Sequence, residues 1–426
     1  MTVDRFERGS IGRLRLHVMP TKRFKTFAIS LFAGVPLSES TVTATALTPF
    51  VLRRGTASTP ETIAFRKRLD DMYGAGFGFD VYKRGDSQIV QFRMDVINDQ
   101  FVSSDRSLLE AAMRLLGEVL TEPALEGGVF RSKYVEAEKT TVRKRLEAIV
   151  NDKIRYAAER CIEVMCAEEP YRLHPLGQLD AIGAITPESL YASYRDWLER
   201  AAFDLYVVGD TSMEEVARLV TESFKLSAGQ PASYERPDVT REAGEVKVVI
   251  ERMDVSQGKL NMGLRTRIDY GDDRYPALLM YNGILGGYPH SKLFMNVRER
   301  ASLAYYAASR LDGHKGLMTI QSGIEIGNYD KAVQIIKEQL DSMRSGKLSE
   351  LEMSQTKAML ANHLRELQDS AYEQIAYDFN AVLSGKERSP DELLGRVQAV
   401  TEADIVKVAE RVMLDTIYFL RDGKEE

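Results

Sequence analysis

Two side chains, Arg298 and Tyr305, stand seven residues apart in a setting that could do chemistry. A guanidinium and a phenol both donate strong hydrogen bonds, which suits them to grip the carbonyl oxygens of an extended peptide or to face a developing oxyanion. Such residues are also common on ordinary surfaces. What must position them is the stretch from Gly286 to Tyr306. Gly286, Gly287 and Pro289 make a turn, and Ser291 can cap a short helix with Leu293, Phe294, Val297 and Ala301 on one face. Leu303 to Tyr306 reads as the start of a strand. The arginine thus leaves a helix and the tyrosine leaves the strand that follows it.

The other chemically able residues do not gather in the sequence. His17, His174, His290, His314 and His363 are scattered, and no two stand one helical turn apart. His363-x-x-Glu366 is half of a zinc motif, but position 367 is leucine. His290 is close enough to the Arg298 segment to touch a bound peptide, although a turn histidine facing solvent is the plainer expectation. Cys161 and Cys166 fit neither a zinc pair nor a redox pair and read as reduced, buried thiols. Gly74-Ala-Gly-Phe-Gly78 joins a helix to a strand, the opposite order to a phosphate loop, and reads as a structural turn.

Composition narrows the function classes. With 426 residues, 44% hydrophobic and 28% charged, the chain is long enough for two domains of about 200 residues. A net charge of −6, without a basic run, argues against nucleic acid or an anionic membrane as the main partner. The weakly charged stretch from Thr26 to Leu52 is broken by Gly34, Pro36, Glu39 and Pro49, so it is not a membrane span. Met1 to Arg8 carries charges where a secretory signal would be apolar, and reads as a cytoplasmic start.

Periodicity and turn signals order the elements. Residues 13–18 and 26–33 read as strands and 43–52 as a helix. Ser58-Thr-Pro-Glu61 reads as a capping box that opens a helix carrying Ile63, Leu69 and Met72 and stopping at Gly74. A hairpin over 77–82 and 87–95 is followed by helices at 105–120 and 127–160, the second with a charged, solvated face. A helix from Pro187, a strand at 203–208 and a helix at 212–224 close the first half. Residues 226–244 have a linker's composition. The order then begins again, with Ala184-Ile-Thr-Pro-Glu188 echoed by Ala399-Val-Thr-Glu-Ala403 and Gly55 matched by Gly286. The expected fold is α+β: two homologous domains, 1–225 and 245–426, each an antiparallel sheet covered by helices, facing each other as a clamshell.

The pattern Gly286-Gly-x-x-x-Ser-x-Leu-Phe-x-x-Val-Arg-Glu-x-x-x-Leu-Ala-Tyr305 resembles the C-terminal-half motif of the pitrilysin/insulinase family of zinc peptidases, which includes the mitochondrial processing peptidase. The resemblance extends over essentially the whole chain, and it implies that Arg298 and Tyr305 hold substrate backbone. In active members H-x-x-E-H on one helix supplies two zinc ligands and the glutamate that activates water. Counting back from Gly55-Thr56, those positions fall on Ala46, Pro49 and Phe50. If the family's earlier acid matches Glu138, the third ligand position falls on Arg145. The chain therefore resembles the zinc-less subunits of two-chain members. That likeness implies a non-catalytic protein that binds peptide substrate and forms a heterodimer with a zinc-bearing paralogue, zinc being held only by the partner. Two other readings stand beside it. One is a pure assembly protein, in which Arg298 and Tyr305 would be dispensable; the other is a standalone hydrolase whose activity would survive chelators.

Overall fold

The computed structural model describes residues 5–423, so Met1 to Asp4, on which the reading of the chain's start partly rests, lie outside the described residues. In chain order, β1 (Glu7–Ile11), β2 (Leu14–Pro20) and β3 (Thr26–Pro36) lead to helices α1 (Val42–Leu52) and α2 (Thr62–Asp70). The hairpin β4 (Gly76–Arg84) and β5 (Ser87–Ile97) follows, then α3 (Leu108–Thr121) and the short pair β6 (Leu125–Glu126) and β7 (Val129–Phe130). Next come α4 (Ser132–Asn151), α5 (Lys153–Met165), α6 (Pro187–Arg200), β8 (Ala202–Gly209) and α7 (Met213–Ser223).

The later half contains β9 (Lys247–Arg252), β10 (Gly258–Arg265) and α8 (Tyr275–Asn282), followed by two π-helical segments, Gly283–Gly287 and Phe294–Arg300. It continues with β11 (Ala304–Asp312), β12 (Leu317–Ile324), α9 (Tyr329–Arg344), α10 (Glu350–Glu366), α11 (Ala371–Ser384), α12 (Pro390–Ala399), α13 (Glu402–Arg411) and β13 (Met413–Arg421).

The duplication is plain in the sheets. The first runs β1-β2-β8-β3-β5-β4, and the second, read in the same direction, runs β9-β13-β10-β12-β11. In each, the first strand of the shared pattern pairs in parallel with the next, β2 with β8 and β9 with β13, and the remaining neighbours are antiparallel. β1 is an addition to the first sheet alone. The helices α6 and α13, which precede the matching strands β8 and β13, both start at a complete capping box, on Thr186 and on Thr401. A hydroxyl at each of those positions satisfies an N–H that the first helical turn leaves unpaired.

Each sheet buries one face against helices. In the first unit Leu16, Ile29, Leu31, Phe92 and Leu205 meet Leu116, Val119 and Trp197 in one core. In the second, Leu260, Met262, Ile320 and Phe419 meet Ile336, Leu340 and Val408. Each large aliphatic or aromatic side chain buried in this way contributes roughly 1.5–3 kcal/mol, which is what holds helices of modest intrinsic propensity in place.

The two units are not divided at one point in the sequence. One takes the chain up to Glu147 and again Leu173–Glu235; the other takes Ala148–Arg172 and the chain from Arg236 onward. The helix expected over 127–160 breaks at Asp152, whose side chain accepts a hydrogen bond from the Arg155 N–H at 3.1 Å and so caps α5. α5 then turns Ala157 and Cys161 onto Tyr418 and Leu420 of the second sheet. Gly263 of β10 makes room for it: a Cβ there would stand 2.6 Å from the Met165 sulfur. Cys161 and Cys166 are both buried, and burial pushes the Cys161 thiol well up.

The segment 226–244 contains no helix or strand, yet its first part is held fast in the first unit. The Tyr234 hydroxyl donates to Asp204 at 2.7 Å, and its ring lies so close to Gly34 that a Cβ there would be 2.3 Å from it. Asp204 is 0% exposed and also accepts from Arg15 through both carboxylate oxygens, at 2.7 Å each, and from His17 Nε2 at 2.8 Å. Composition marks such a segment as irregular; it does not mark it as loose.

The capping box at Ser58 does not form. The helix starts at Thr62, and its N-cap, Glu61, makes no side-chain cap. Glu61 is instead engaged by Arg131 at 2.8 Å and Lys133 at 3.1 Å, and Arg68 and Thr56 hold Glu118. Long-range ion pairs outbid the local cap. Ile63, expected on the apolar face, is 83% exposed. Among the described residues no helix is long and apolar enough to cross a membrane.

Candidate functional site

Ala46 and Phe50 are one turn apart on α1, both 0% exposed, with Pro49 between them inside the helix. Phe50 meets the Phe79 ring edge-on, with centroids 4.8 Å apart. Arg145 comes from α4, and its guanidinium carbon lies 4.9 Å from the centroid of Phe50. Two of the positions matched to the zinc motif thus lie against each other in space, and a cation–π contact stands between them.

Glu138, two turns before Arg145 on α4, is 0% exposed. Its Oε1 accepts from Arg54, and Arg53 lies 3.9 Å away; its Oε2 has no hydrogen-bond partner among the described residues. These residues do not fit a zinc ion. Ala46 and Phe50 offer no donor atom, and Arg145 brings a fixed positive charge to the position where zinc needs a carboxylate. Among the described residues no cluster of three His, Cys, Asp or Glu side chains could hold a metal. The histidines are engaged separately, His17 with Asp204, His290 with Thr356 and His314 with Asn380. His290 is half-buried rather than solvent-facing, stacked on Tyr288, and burial lowers its pKa.

Arg298 and Tyr305 are presented by unusual backbone. The Ser291 hydroxyl faces the Phe294 N–H at 3.5 Å, where the sequence places a cap. The helix beyond it widens to a π-turn, so that the Ala301 N–H donates to Asn296 five residues back at 3.2 Å. Such widened turns cost stability and concentrate at functional sites. Arg298 rides in this segment, half exposed, with its guanidinium carbon 4.6 Å from the Phe294 centroid and Glu299 at 3.6 Å. Ser302 then takes a left-handed conformation, φ 51°, which non-glycine residues adopt only where the surroundings require it.

Tyr305 follows on β11, the edge strand of the second sheet. The register against β12 slips between Ala304 and Tyr306, so Tyr305 sits at a β-bulge, 59% exposed. A bulge re-aims its side chain out of the strand's alternation. Sequence periodicity signals neither the bulge nor the π-turn, nor the use of Phe294 as a platform for Arg298. Phe294 reads there as one more apolar residue.

Gly286 fixes this segment against β11, because a Cβ at Gly286 would lie 2.5 Å from the Ser309 amide nitrogen and 2.7 Å from a Leu293 methyl. Gly286→Ala should therefore cost about 1–3 kcal/mol through forced backbone displacement. A lowered midpoint of urea unfolding, followed by circular dichroism, checks this, and an unchanged midpoint would show that the segment gives way freely.

A repeated α+β unit whose zinc positions are filled by alanine, proline, phenylalanine and arginine defines a peptidase homologue without its metal site. The family model for the peptidase M16 inactive domain matches residues 184–360. The chain belongs to the M16, or pitrilysin/insulinase, family, as a member that lacks the H-x-x-E-H site. It is 41% identical over 410 residues, 96% of each chain, to the probable inactive metalloprotease YmfF of Bacillus subtilis. The structure of a conserved protein from Enterococcus faecalis superposes with a TM-score of 0.93 at 32% identity, covering 99% of this chain and 100% of that one. An uncharacterized zinc protease of Bacillus subtilis, YmxG, is 24% identical over 287 residues, 64% of this chain and 67% of its own length.

Proposed function

We infer that this chain is the peptide-holding, non-catalytic member of a two-chain zinc peptidase, with a zinc-bearing paralogue supplying the metal and the attacking water. The observation that carries the reading is a contrast within one molecule. The metal positions hold a guanidinium packed on a phenyl ring, whereas Arg298 and Tyr305 stand exposed on a π-turn and a bulge. Strained backbone that displays donors is costly to keep, and a role in holding substrate explains its retention. Bacillus subtilis, which has the YmfF relative, also has a relative named an uncharacterized zinc protease, which supports a pairing of this kind.

The test mixes this chain with the zinc-bearing paralogue of its own genome and follows both complex formation and cleavage of unstructured peptides. The expected result is a stable pair that cleaves at least about tenfold faster than the paralogue alone, since positioning substrate lowers the barrier, with activity abolished by a chelator. If the pair forms but cleaves no faster, the assembly reading holds instead. If no pair forms, the two-chain reading fails.

A further inference from the structure

The two sheets differ at one edge. In the first, the outer edge of β2 is covered by β1, which pairs with it antiparallel over five residues from Glu7↔Val18 to Ile11↔Leu14. α7 lies across that addition, with the Met213 sulfur 3.1 Å from where a Gly9 Cβ would stand. In the second sheet the equivalent strand is β9, and among the described residues nothing pairs with its outer edge. β9 runs Lys247-Val-Val-Ile-Glu-Arg252, matched to β13 over six residues without a bulge or proline. Val248 is 56% exposed and Ile250 50%. An unbulged, β-branched edge strand with apolar side chains in solvent is a template for a further strand.

The sequence of β9 selects its own copy as that strand. Opposite residues of an antiparallel pair both point their N–H and C=O at the partner or both point them away. These orientations alternate along a strand, so a strand paired with itself about a twofold axis matches only residues whose numbers are both odd or both even. Lys247 opposite Arg252, which would set like charges together, is thereby excluded. Centring on Val249 puts Lys247 opposite Glu251 and Val248 opposite Ile250. Centring on Ile250 would put Val249 opposite Glu251 and Val248 opposite Arg252, which matches nothing. Only the Val249-centred register closes Val248 and Ile250 of both copies into one apolar cluster, and it sets Lys247 beside Glu251, whose carboxylate Tyr156, Arg160 and Tyr418 already hold within the chain.

We propose that β9 is a homodimer edge: two copies of this chain join β9 to β9 antiparallel about a twofold axis at Val249, making one continuous sheet of the two second units. The surface is small, so the dimer is concentration-dependent. It forms from this chain alone and does not rest on the two-chain peptidase reading.

Sedimentation equilibrium of the full chain, with a register-specific crosslink, tests the proposal. The expected results are a monomer–dimer equilibrium in the micromolar range and a shift to monomer in V248K/I250K, whose circular dichroism stays unchanged because both positions are in solvent. Mixed V248C and I250C proteins should oxidise to a covalent dimer faster than either alone, since opposite positions meet while diagonal ones are too far apart. Cys161 and Cys166 are buried and do not compete. A chain that is monomeric throughout, a dimer that survives V248K/I250K, or a monomer whose β9 edge pairs only with the zinc-bearing paralogue would each overturn the proposal.

Discussion

Replacing Asp204 with alanine should lower the stability of the first unit by about 3–5 kcal/mol, because it leaves the Arg15 charge without its partner. Asp204 is fully buried on β8 and gathers hydrogen bonds from Arg15, His17 and Tyr234. The chain has one tryptophan, Trp197, which is packed in the first unit's core, so its fluorescence reports this unit's unfolding alone. The urea midpoint of the tryptophan transition should fall sharply in Asp204→Ala and less in Asp204→Asn, which keeps an acceptor oxygen. The same group sets a pH dependence. Burial pushes the Asp204 carboxyl up, but the hydrogen bonds from Arg15 and His17 outweigh it and hold the folded-state pKa below the ordinary carboxylate value. Its contribution is therefore fully present above the unfolded pKa of about 3.9 and is lost as pH falls through the lower folded value. The gap between wild type and Asp204→Asn should close on acidification. A gap that stays constant to the lowest pH at which the fold survives would mean that the carboxylate is not the stabilising species.

In the proposed two-chain assembly, Arg298→Ala should reduce kcat/KM by about 10²-fold or more, the scale on which a preorganised donor to a developing oxyanion is measured. The kinetic split tells what the arginine does. A fall in kcat marks a donor used in the transition state, and a rise in KM alone marks uniform capture of the peptide. Arg298→Lys keeps the charge but gives up the planar fork and most of the stacking on Phe294, so it should restore only part of the activity. Phe294→Leu, which removes the platform under the guanidinium at 4.6 Å, should fall between wild type and Arg298→Ala. Tyr305→Phe deletes one hydroxyl from an exposed ring and should be milder. If Arg298→Ala leaves both parameters unchanged, the residue does not meet substrate.

Much of this was legible because local and global signals agree. The hairpin over 77–82 and 87–95, the echo of 184–188 by 399–403 at the heads of two helices and the glycines at 55 and 286 are statements about single residues or short spacings. What stayed hidden depends on partners far along the chain. Glu61 leaves its cap because Arg131 and Lys133 reach it from about seventy residues away. Tyr234 anchors an irregular segment because Gly34 leaves a space for its ring. Arg298 and Tyr305 could be named as candidates from their setting, whereas the π-turn, which packs on β11 and α9, and the bulge, which arises where β11 meets β12, depend on distant partners. A lone aspartate in the apolar run Phe203 to Val208, facing a strand that alternates Arg15 and His17, was the one available hint of the buried network.

The division of the chain between its units also governs how it is made. α5 leaves the ribosome before α6 and β8 complete the first unit, yet the face it must cover is built from β10 and β13. Among the described residues β13 is the only partner of β9 and an inner strand between β9 and β10, so the second sheet remains in pieces until that strand emerges. From the emergence of α5 until that of β13 the nascent chain carries the apolar face of α5, joined in the later part by a bare β9, both open to chaperones and to wrong partners, with the first unit free to fold in the meantime. Nor can the units be parted by one cleavage, because the chain passes between them three times.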